Sequence, residues 1–255
     1  MRMLKMVAAL LAITASGITT AGNLVPALPA VKPAVVSVGT ELPTRSPPIS
    51  LLGSGFAVAD GLHIITNAHV IPPVLDHDRQ ERVGIMIIQG PLKKFRYAKI
   101  MSIDQTHDIA LLKLEGEPLP ALELADSDSL KEGQSVAFTG FPIGMALQQL
   151  VTHRGMVSSI GPIVLPALRS QQLDVKMVKR LRDPFNIIQL DATAYPGNSG
   201  SALYDPETGK VYGIIDAVYV KATKESAITQ PSGITYAIPS NFIHELLKSS
   251  GVSSK

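Results

Sequence analysis

Residue types that could support nucleophilic chemistry occur together in the run Pro196-Gly197-Asn198-Ser199-Gly200. Glycine on either side of the serine lets the backbone adopt conformations that other residues avoid, so the hydroxyl can project into a cleft while nearby N–H groups converge on one point. Taken alone, so short a run also fits an ordinary glycine-serine turn. A serine attacks a substrate only when a neighbouring base removes its proton, so the sequence must also supply that base.

A candidate base and a candidate acid lie upstream of this serine. An apolar, strand-like run leads directly into His69, and Asp108 opens a second apolar run. Histidine, aspartate and serine follow one another in an order that excludes the α/β-hydrolases, in which the serine comes first. Alternatives for the base are His63, which opens a strand, and His107, which falls in a different motif. Asp104 could replace Asp108 as the acid only if the loop register shifts.

Five short motifs carry a resemblance to a known family. In chain order they are Gly53-Ser54-Gly55-Phe56, Thr66-Asn67-Ala68-His69-Val70, Asp108-Ile109-Ala110-Leu111-Leu112-Lys113, Asp191-Ala192 with Pro196-Gly197-Asn198-Ser199-Gly200, and Gly233-Ile234-Thr235-Tyr236-Ala237-Ile238-Pro239-Ser240. With these motifs, over about residues 33–248, the chain resembles the trypsin-like serine peptidases and, among them, most closely the bacterial HtrA (Deg) proteases. Ser201 departs from the HtrA pattern, which usually has a second glycine there, and no PDZ domain is expected after the protease region.

The resemblance implies a role for each residue of the catalytic centre. His69 is expected to take the proton of Ser199 as the hydroxyl attacks a peptide carbonyl, and Asp108 to orient the imidazole and stabilise its cation. The turn formed by Gly197, Asn198 and Ser199 is expected to be the oxyanion hole. Its donors would be the backbone N–H groups of Gly197 and Ser199.

The resemblance also places a substrate pocket beside the nucleophile. Thr193 is expected at its base, where an acidic residue would otherwise select Lys or Arg, so we expect cleavage after small or medium aliphatic side chains. Asp216 in the wall keeps a basic preference open. The pocket residues are expected to be Thr193, Ala194, Tyr195, Ile214, Ile215, Asp216 and Thr235.

Short β-branched runs separated by turn residues predict an all-β fold. The resemblance implies two six-stranded antiparallel β-barrels of the trypsin-like serine protease fold, in a protease domain at 33–249, with a short C-terminal helix. Barrel one would span about 33–115, a linker about 116–133, barrel two about 134–239 and the helix 240–249, before a tail at 250–255. The predicted strands are 34–39, 53–59, 63–66, 83–88, 97–103 and 109–114, then 134–139, 149–158, 186–190, 201–204, 210–218 and 233–238, and Ser240 is expected to cap the helix.

The first 21 residues have the features of a secretory signal peptide. Arg2 and Lys5 make a basic start, an apolar stretch follows, and small residues precede the expected cleavage after Ala21, with Ala30 as an alternative. The apolar stretch of about 13 residues is too short to span a bilayer core of roughly 30 Å, so no stable membrane span is expected after signal removal. We expect an exported protein, periplasmic or secreted, with residues 22–32 as an N-terminal segment.

Charge and composition narrow the partners and cofactors. Lys and Arg number 23 and Asp and Glu 21, and the loss of Arg2 and Lys5 with the signal would bring the charge near zero, which argues against nucleic acid as a partner. The chain has no cysteine, which excludes disulfides and thiolate metal sites. His77 lies between Asp76 and Asp78, but such nearly contiguous residues are typical of a solvated loop. No metal or cofactor is expected.

The segment 162–184 is longer than a hairpin turn. Leu173, Met177 and Leu181 recur at intervals of four beside several basic residues, which fits an amphipathic helix with a basic face or simply a solvated helical excursion. In HtrA proteases the loop in this place senses activating ligands, so the resemblance implies an activating ligand here. HtrA relatives commonly form trimers through their N-terminal segment, and a homo-oligomer therefore stays open.

The expected function is that of a serine endopeptidase acting on protein or peptide substrates. Two other interpretations stay open. One is a catalytically silent binding protein or chaperone with a protease fold, and the other is an esterase that uses the same residues. His153 and His244 are expected to be ordinary surface or packing residues.

Overall fold

The computed structural model describes residues 24–89, 92–142, 149–162, 184–217 and 233–253. The predicted signal peptide at 1–21 and almost all of the segment 162–184 lie outside the described residues. Within these ranges no helix is long and apolar enough to cross a bilayer. Most of the described chain forms strands, because runs rich in Val, Ile and aromatic residues fit a pleated, half-buried surface.

Barrel one is a closed antiparallel sheet with the strand order β1-β2-β3-β6-β5-β4. Pairing of β1 with both β2 and β4 closes it, and opposite Val38 and Gly39 the strand β2 carries one extra residue, Leu52, as a bulge. The strands are β1 (Val35–Glu41), β2 (Ile49–Val58), β3 (His63–Asn67), β4 (Arg82–Gln89), β5 (Leu92–Asp104) and β6 (Ile109–Leu114).

Barrel two repeats this arrangement, with the strand order β10-β11-β12-β9-β8-β7. Pairing of β10 with both β7 and β11 closes it. Its strands are β7 (Ser135–Gly140), β8 (Val151–Pro162), β9 (Asn186–Asp191), β10 (Ala202–Tyr204), β11 (Val211–Asp216) and β12 (Ile234–Pro239).

Successive side chains of β3 and β6 point to opposite faces of the sheet and pack into two different cores. On β3 and β6, Ile64 and Leu112 belong to the core of barrel one, whereas their neighbours Ile65 and Leu111 belong to a core that also contains Tyr204 from barrel two. Both faces of these strands are therefore buried, which explains why their sequences are nearly continuous apolar runs. The shared core holds the barrels together, so that loops of both lie near one another.

The predicted all-β, two-barrel fold is confirmed, and each predicted strand has a counterpart. The run 109–114 is reproduced residue for residue as β6. The strands β2 and β5 are longer than expected, beginning at Ile49 and Leu92. The first residues of β5 are exposed and pair with the end of β4. An exposed hairpin arm lacks the apolar alternation on which the sequence prediction rests.

Two short helices flank the barrels: α1 (Leu28–Val31), whose Val31 is buried in the shared core, and α2 (Ser240–Ser249) at the C-terminal end. The prediction that Ser240 caps α2 is wrong. The helix begins at Ser240 itself, directly after Pro239, and the Ser240 hydroxyl donates to the carbonyl of Ala125 at 2.7 Å. This hydroxyl therefore ties the helix to the chain segment that joins the barrels.

Candidate active site

His69 and Asp108 form a tight hydrogen-bonded pair. His69 lies in a 3₁₀ turn, Ala68–Val70, directly after β3, and Asp108 lies between β5 and β6 with a left-handed φ of 57°, which aspartate tolerates better than most residues. Nδ1 of His69 is 2.5 Å from Oδ2 of Asp108, and the backbone N–H of His69 donates to Oδ1 at 3.0 Å. Because an ionised carboxylate only accepts hydrogen bonds, Nδ1 carries the proton of the neutral ring, and Nε2 is the nitrogen that can act as a base.

The backbone of Asp108 is held from the end of β3 as well. The side-chain amide of Asn67 and the backbone N–H of Ala68 both donate to its carbonyl oxygen, each at 3.0 Å. The Asp108 side chain is only 6% exposed, against 26% for the ring of His69. The Asp108 carboxylate is therefore almost fully buried, whereas about a quarter of the His69 side chain is exposed to solvent.

The other histidines near this region are paired with different carboxylates. His63 bonds to Asp60 through Nδ1 at 2.7 Å, and His107 bonds to Asp104 through Nδ1 at 2.6 Å. Burial raises the pKa of Asp104, but the hydrogen bonds and charge of His107 outweigh it and hold this pKa below its ordinary value. The His107 ring also stacks on Phe242 of α2, with 3.8 Å between ring centroids. Asp104 and His107 are thus engaged with each other.

The turn at residues 195–201 holds the candidate nucleophile Ser199 and is called the nucleophile turn below; in the described part of the chain it leaves two N–H groups without an acceptor. Asn198 donates its N–H to the carbonyl of Tyr195, and Ser201 donates to the carbonyl of Asn198, both at 2.9 Å. Gly197 has a φ of 100°, in the left-handed region that glycine readily adopts. Among the residues that the structure describes, the N–H groups of Gly197 and Ser199 have no hydrogen-bond acceptor. Both remain able to bind a ligand oxygen.

Ser199 and the pair of His69 and Asp108 each lie near the end of β11. Oγ of Ser199 accepts a hydrogen bond from the N–H of Ala217 at 3.3 Å. The preceding residue, Asp216, has a carboxylate oxygen that lies within 4.8 Å of a ring nitrogen of His69 and of a carboxylate oxygen of Asp108. Because an amide N–H can only donate, the Ser199 hydroxyl keeps its own proton for a base.

A metal ion is one occupant to consider for the His69, Asp108 and Asp216 side chains, since each offers a ligand atom. The 2.5 Å contact between His69 and Asp108 is that of hydrogen-bond partners, and it leaves no room for an ion between those two atoms. The geometry therefore favours proton transfer over metal binding at this pair.

The expected pocket residues differ in exposure. Ile214 and Ile215 are fully buried, in the shared core and in the core of barrel two respectively. Asp216 is 2% exposed, and Thr235 is buried and donates its hydroxyl to the carbonyl of Ala192 at 2.7 Å. The half-buried members are Thr193, Ala194 and Tyr195. They are the ones that a substrate side chain could touch without displacing a core residue.

His153 on β8 lies next to the nucleophile turn, which the sequence did not indicate. Its ring stacks on Phe138 with 4.7 Å between centroids, and Nε2 is 3.5 Å from the side-chain amide nitrogen of Asn198. Burial lowers the pKa of this imidazole. Neutral Nε2 can accept from the Asn198 amide, whereas a protonated ring would oppose it.

Acid is therefore expected to destabilise the protein through His153. Because its pKa is lowered from 6.5, the folded state favours the neutral ring while the unfolded chain takes up a proton near that pH. The unfolded state then binds more protons, so the free energy of unfolding falls as the pH drops below about 6.5. We expect His153→Phe, which keeps a ring on Phe138, to reduce this loss in urea unfolding between about pH 7.5 and 5.5. Equal pH dependence in both proteins would contradict the assignment.

Two antiparallel barrels with a histidine, an aspartate and a serine at their junction define the class of chymotrypsin-like, double-barrel hydrolases. A family model described as the trypsin-like peptidase domain matches residues 53–214 of this chain. The chain belongs to the trypsin-like peptidase family.

Similar proteins point to one branch of that family. A protein of Marinomonas sp. strain MWYL1, named "Probable periplasmic serine endoprotease DegP-like", is 33% identical over 225 residues, which are 85% of this chain and 40% of that protein. A protein of the same name from Pseudomonas fluorescens strain Pf-5 is 36% identical over 188 residues, or 74% and 32% of the two chains. The chain thus spans 40% and 32% of the length of these two relatives.

A solved structure shows the same likeness. The HtrA-type protease AlgW, solved with a tripeptide, is 26% identical, with a TM-score of 0.63. The match covers 89% of this chain and 63% of that one. The resemblance to HtrA proteases is therefore borne out by both sequence and fold.

Proposed function

We propose that this chain is a serine endopeptidase that hydrolyses peptide bonds through Ser199, His69 and Asp108. The observation that carries the proposal is the combination of three features around the end of β11. A buried carboxylate holds His69 with Nε2 as its basic nitrogen, the Ser199 hydroxyl retains its proton, and two N–H groups beside it are open. These are the parts that acyl transfer needs.

The mechanism follows from the roles of these groups. Nε2 of His69 takes the Ser199 proton as Oγ attacks the carbonyl carbon, and the resulting oxyanion binds the N–H groups of Gly197 and Ser199. His69 then gives the proton to the leaving amine. In the second stage His69 takes a proton from water as the water attacks the acyl-enzyme, and returns that proton to Oγ of Ser199. Asp108 stabilises the imidazolium in both stages. Each oxyanion donor contributes on the order of 3 kcal/mol in comparable sites.

The relatives support the substrate class and the compartment. Proteins similar over most of this chain are named periplasmic serine endoproteases, and AlgW was solved with a tripeptide. We therefore propose protein or peptide substrates and an exported chain, with residues 1–21 as its signal peptide. An activating ligand at 162–184 and a homo-oligomer stay predictions from the sequence.

For the cleavage position we propose small or medium aliphatic side chains, and we reassign Asp216. Its carboxylate lies beside His69 and Asp108 and is almost fully buried, so it is better placed to act on the imidazolium than on a substrate side chain. A unit charge about 4–5 Å away is worth a few kcal/mol at an effective dielectric constant of about 20. Hydrogen bonds that an asparagine at position 216 keeps would offset part of that effect.

We expect Asp216→Asn to lower kcat about tenfold for every peptide, because the imidazolium loses one neighbouring charge. The ranking of residues at the cleavage position should stay as in the wild type, with aliphatic side chains first. The measurement is a peptide-library profile of both proteins. A selective loss of cleavage after Lys and Arg would instead place Asp216 in the specificity pocket.

The proposed function is tested by incubating the purified chain with casein and, separately, with short acyl esters. We expect casein to be cleaved by the wild type and left intact by Ser199→Ala, whose fold is checked by circular dichroism. Binding of casein without cleavage by a well-folded wild type would favour the silent binding protein. Hydrolysis of esters alone would favour the esterase.

A further inference from the structure

Ser54 on β2 joins the two barrels directly at the nucleophile turn. Its N–H donates to the carbonyl of Ser199 at 2.8 Å, and its hydroxyl donates to the carbonyl of Gly197 at 2.7 Å. Ser54 is fully buried. A residue of barrel one thus holds two carbonyl groups of a turn that belongs to barrel two.

The direction of the hydroxyl bond is fixed by a third contact. The N–H of Phe141, the residue after β7, donates to Oγ of Ser54 at 2.9 Å. An amide N–H can only donate, so the single proton of the Ser54 hydroxyl must go to Gly197. The backbone of Ser54 is fixed in turn by Thr66 on β3, whose hydroxyl donates to the Ser54 carbonyl at 2.7 Å.

These contacts pin one peptide plane of the turn at both ends. The carbonyl of Gly197 and the N–H of Asn198 belong to the same planar unit and point in opposite directions. The carbonyl end is bound by Ser54 and the N–H end by the carbonyl of Tyr195. Rotation of this plane would break both bonds. The peptide planes that carry the N–H groups of Gly197 and Ser199 lie on either side of it, and each is flanked on its far side by a plane whose carbonyl is also bound, that of Tyr195 or of Ser199. Holding the Gly197–Asn198 plane therefore limits how far those two N–H groups can turn.

We propose that Ser54 is a positioning residue for the oxyanion hole. Its hydroxyl holds the Gly197–Asn198 peptide plane, and through it the flanking planes that carry the N–H groups of Gly197 and Ser199, in an arrangement that leaves both N–H groups without an acceptor in the described part of the chain. Ser54 touches neither substrate nor reacting atom, so it acts through Gly197. The inference rests on the proposed function, because only acyl transfer makes an oxyanion at this place.

The test compares Ser54→Ala with Ser240→Ala. Ser240 is a matched control, since it is also fully buried and also donates its hydroxyl to a backbone carbonyl at 2.7 Å, but its partner is Ala125. The readouts are kcat and KM for a peptide and the affinity for a peptide boronic acid. The boronate forms a tetrahedral adduct on the nucleophile and presents an oxygen to the hole, so its affinity reports on the hole itself.

We expect Ser54→Ala to lower kcat by roughly ten- to a hundredfold and to leave KM within about twofold. This loss is no larger than the loss of kcat that follows removal of an N–H donor from an oxyanion hole. Boronate affinity should fall by a similar factor. Ser240→Ala should leave kcat and boronate affinity within about threefold of the wild type, even if its thermal stability falls as much as that of Ser54→Ala. Ser54→Cys, which keeps the size with a weaker donor, should be intermediate and serves if the alanine variant fails to fold.

Two outcomes overturn the inference in different ways. A folded Ser54→Ala or Ser54→Cys protein with wild-type kcat and boronate affinity means that Ser54 is only a structural link between barrels. A wild type that neither cleaves peptides nor binds the boronate removes the proposed function, and the inference falls with it.

Discussion

Replacing Asp108 with asparagine is expected to lower kcat for peptide hydrolysis by about four orders of magnitude, with little change in KM. Asp108 now accepts from two groups of His69, its backbone N–H and Nδ1. Asparagine has only one acceptor oxygen. The backbone N–H can only donate, so it retains that oxygen, and the NH₂ group then faces Nδ1. The ring proton moves to Nε2, which can no longer remove the proton of Ser199.

The matched control is Asp104→Asn, the same change in the neighbouring pair with His107. We expect it to lower stability and to leave kcat within about threefold, because Asp104 does not orient the base. Initial rates with one peptide at neutral pH suffice for the comparison. Asp108→Asn with more than a tenth of wild-type kcat, or an equal loss in Asp104→Asn, would show that the acid is misassigned.

Replacing Gly200 with alanine has the second-largest expected effect, a loss of detectable proteolysis together with a fall in stability. Gly200 has a φ of 89°, which an L side chain rarely adopts, and a Cβ there would lie 1.9 Å from the carbonyl oxygen of Ser54 and 2.8 Å from Oγ1 of Thr66. That carbonyl cannot move freely, because Thr66 already binds it. The turn must shift away from barrel one and carry Ser199 with it. We expect the free energy of unfolding to fall by about 3 kcal/mol or more.

Gly133→Ala separates backbone strain from collision. Gly133 has a similar φ of 83°, but a Cβ there would meet nothing within 4 Å. We expect this variant to lose about 1–2 kcal/mol for the left-handed conformation alone and to keep full activity. Urea unfolding and a casein assay on both variants make the comparison. Full activity in Gly200→Ala would mean that the contact between the turn and Ser54 does not position the nucleophile.

Local residue types were sufficient to predict the strands that lie between two cores. The run at β6 is apolar on both faces because Leu111 and Leu112 enter different cores, so the pattern is strong and its bounds are sharp. The exposed start of β5 carries no such pattern. The position of Ser240 before an apolar repeat predicts a cap for α2, but its hydroxyl donates to the carbonyl of Ala125, which the inter-barrel segment brings close to the helix.

The sequence predicts the three central residues of the site and their order along the chain, but not the contacts around them. His69, Asp108 and Ser199 stand in short motifs with a known order, so sequence suffices to nominate them. The hydroxyl of Ser54 binds a carbonyl 143 residues away, and Asp216 approaches His69 only because two barrels pack together. Contacts across such separations leave no periodicity in the sequence. For the same reason the sequence predicts only a surface or packing role for His153. The stacking on Phe138 agrees with that role, but the position beside Asn198 of the nucleophile turn has no sequence signal.

The central claim is that Ser199 is a nucleophile activated by the pair of His69 and Asp108. It is tested most directly by treating the purified chain with a fluorophosphonate and locating the adduct by peptide mass spectrometry. We expect one adduct, on the peptide that contains Ser199, absent in Ser199→Ala and formed far more slowly in Asp108→Asn. An adduct on another serine, or no adduct on a chain that cleaves casein, would contradict the account.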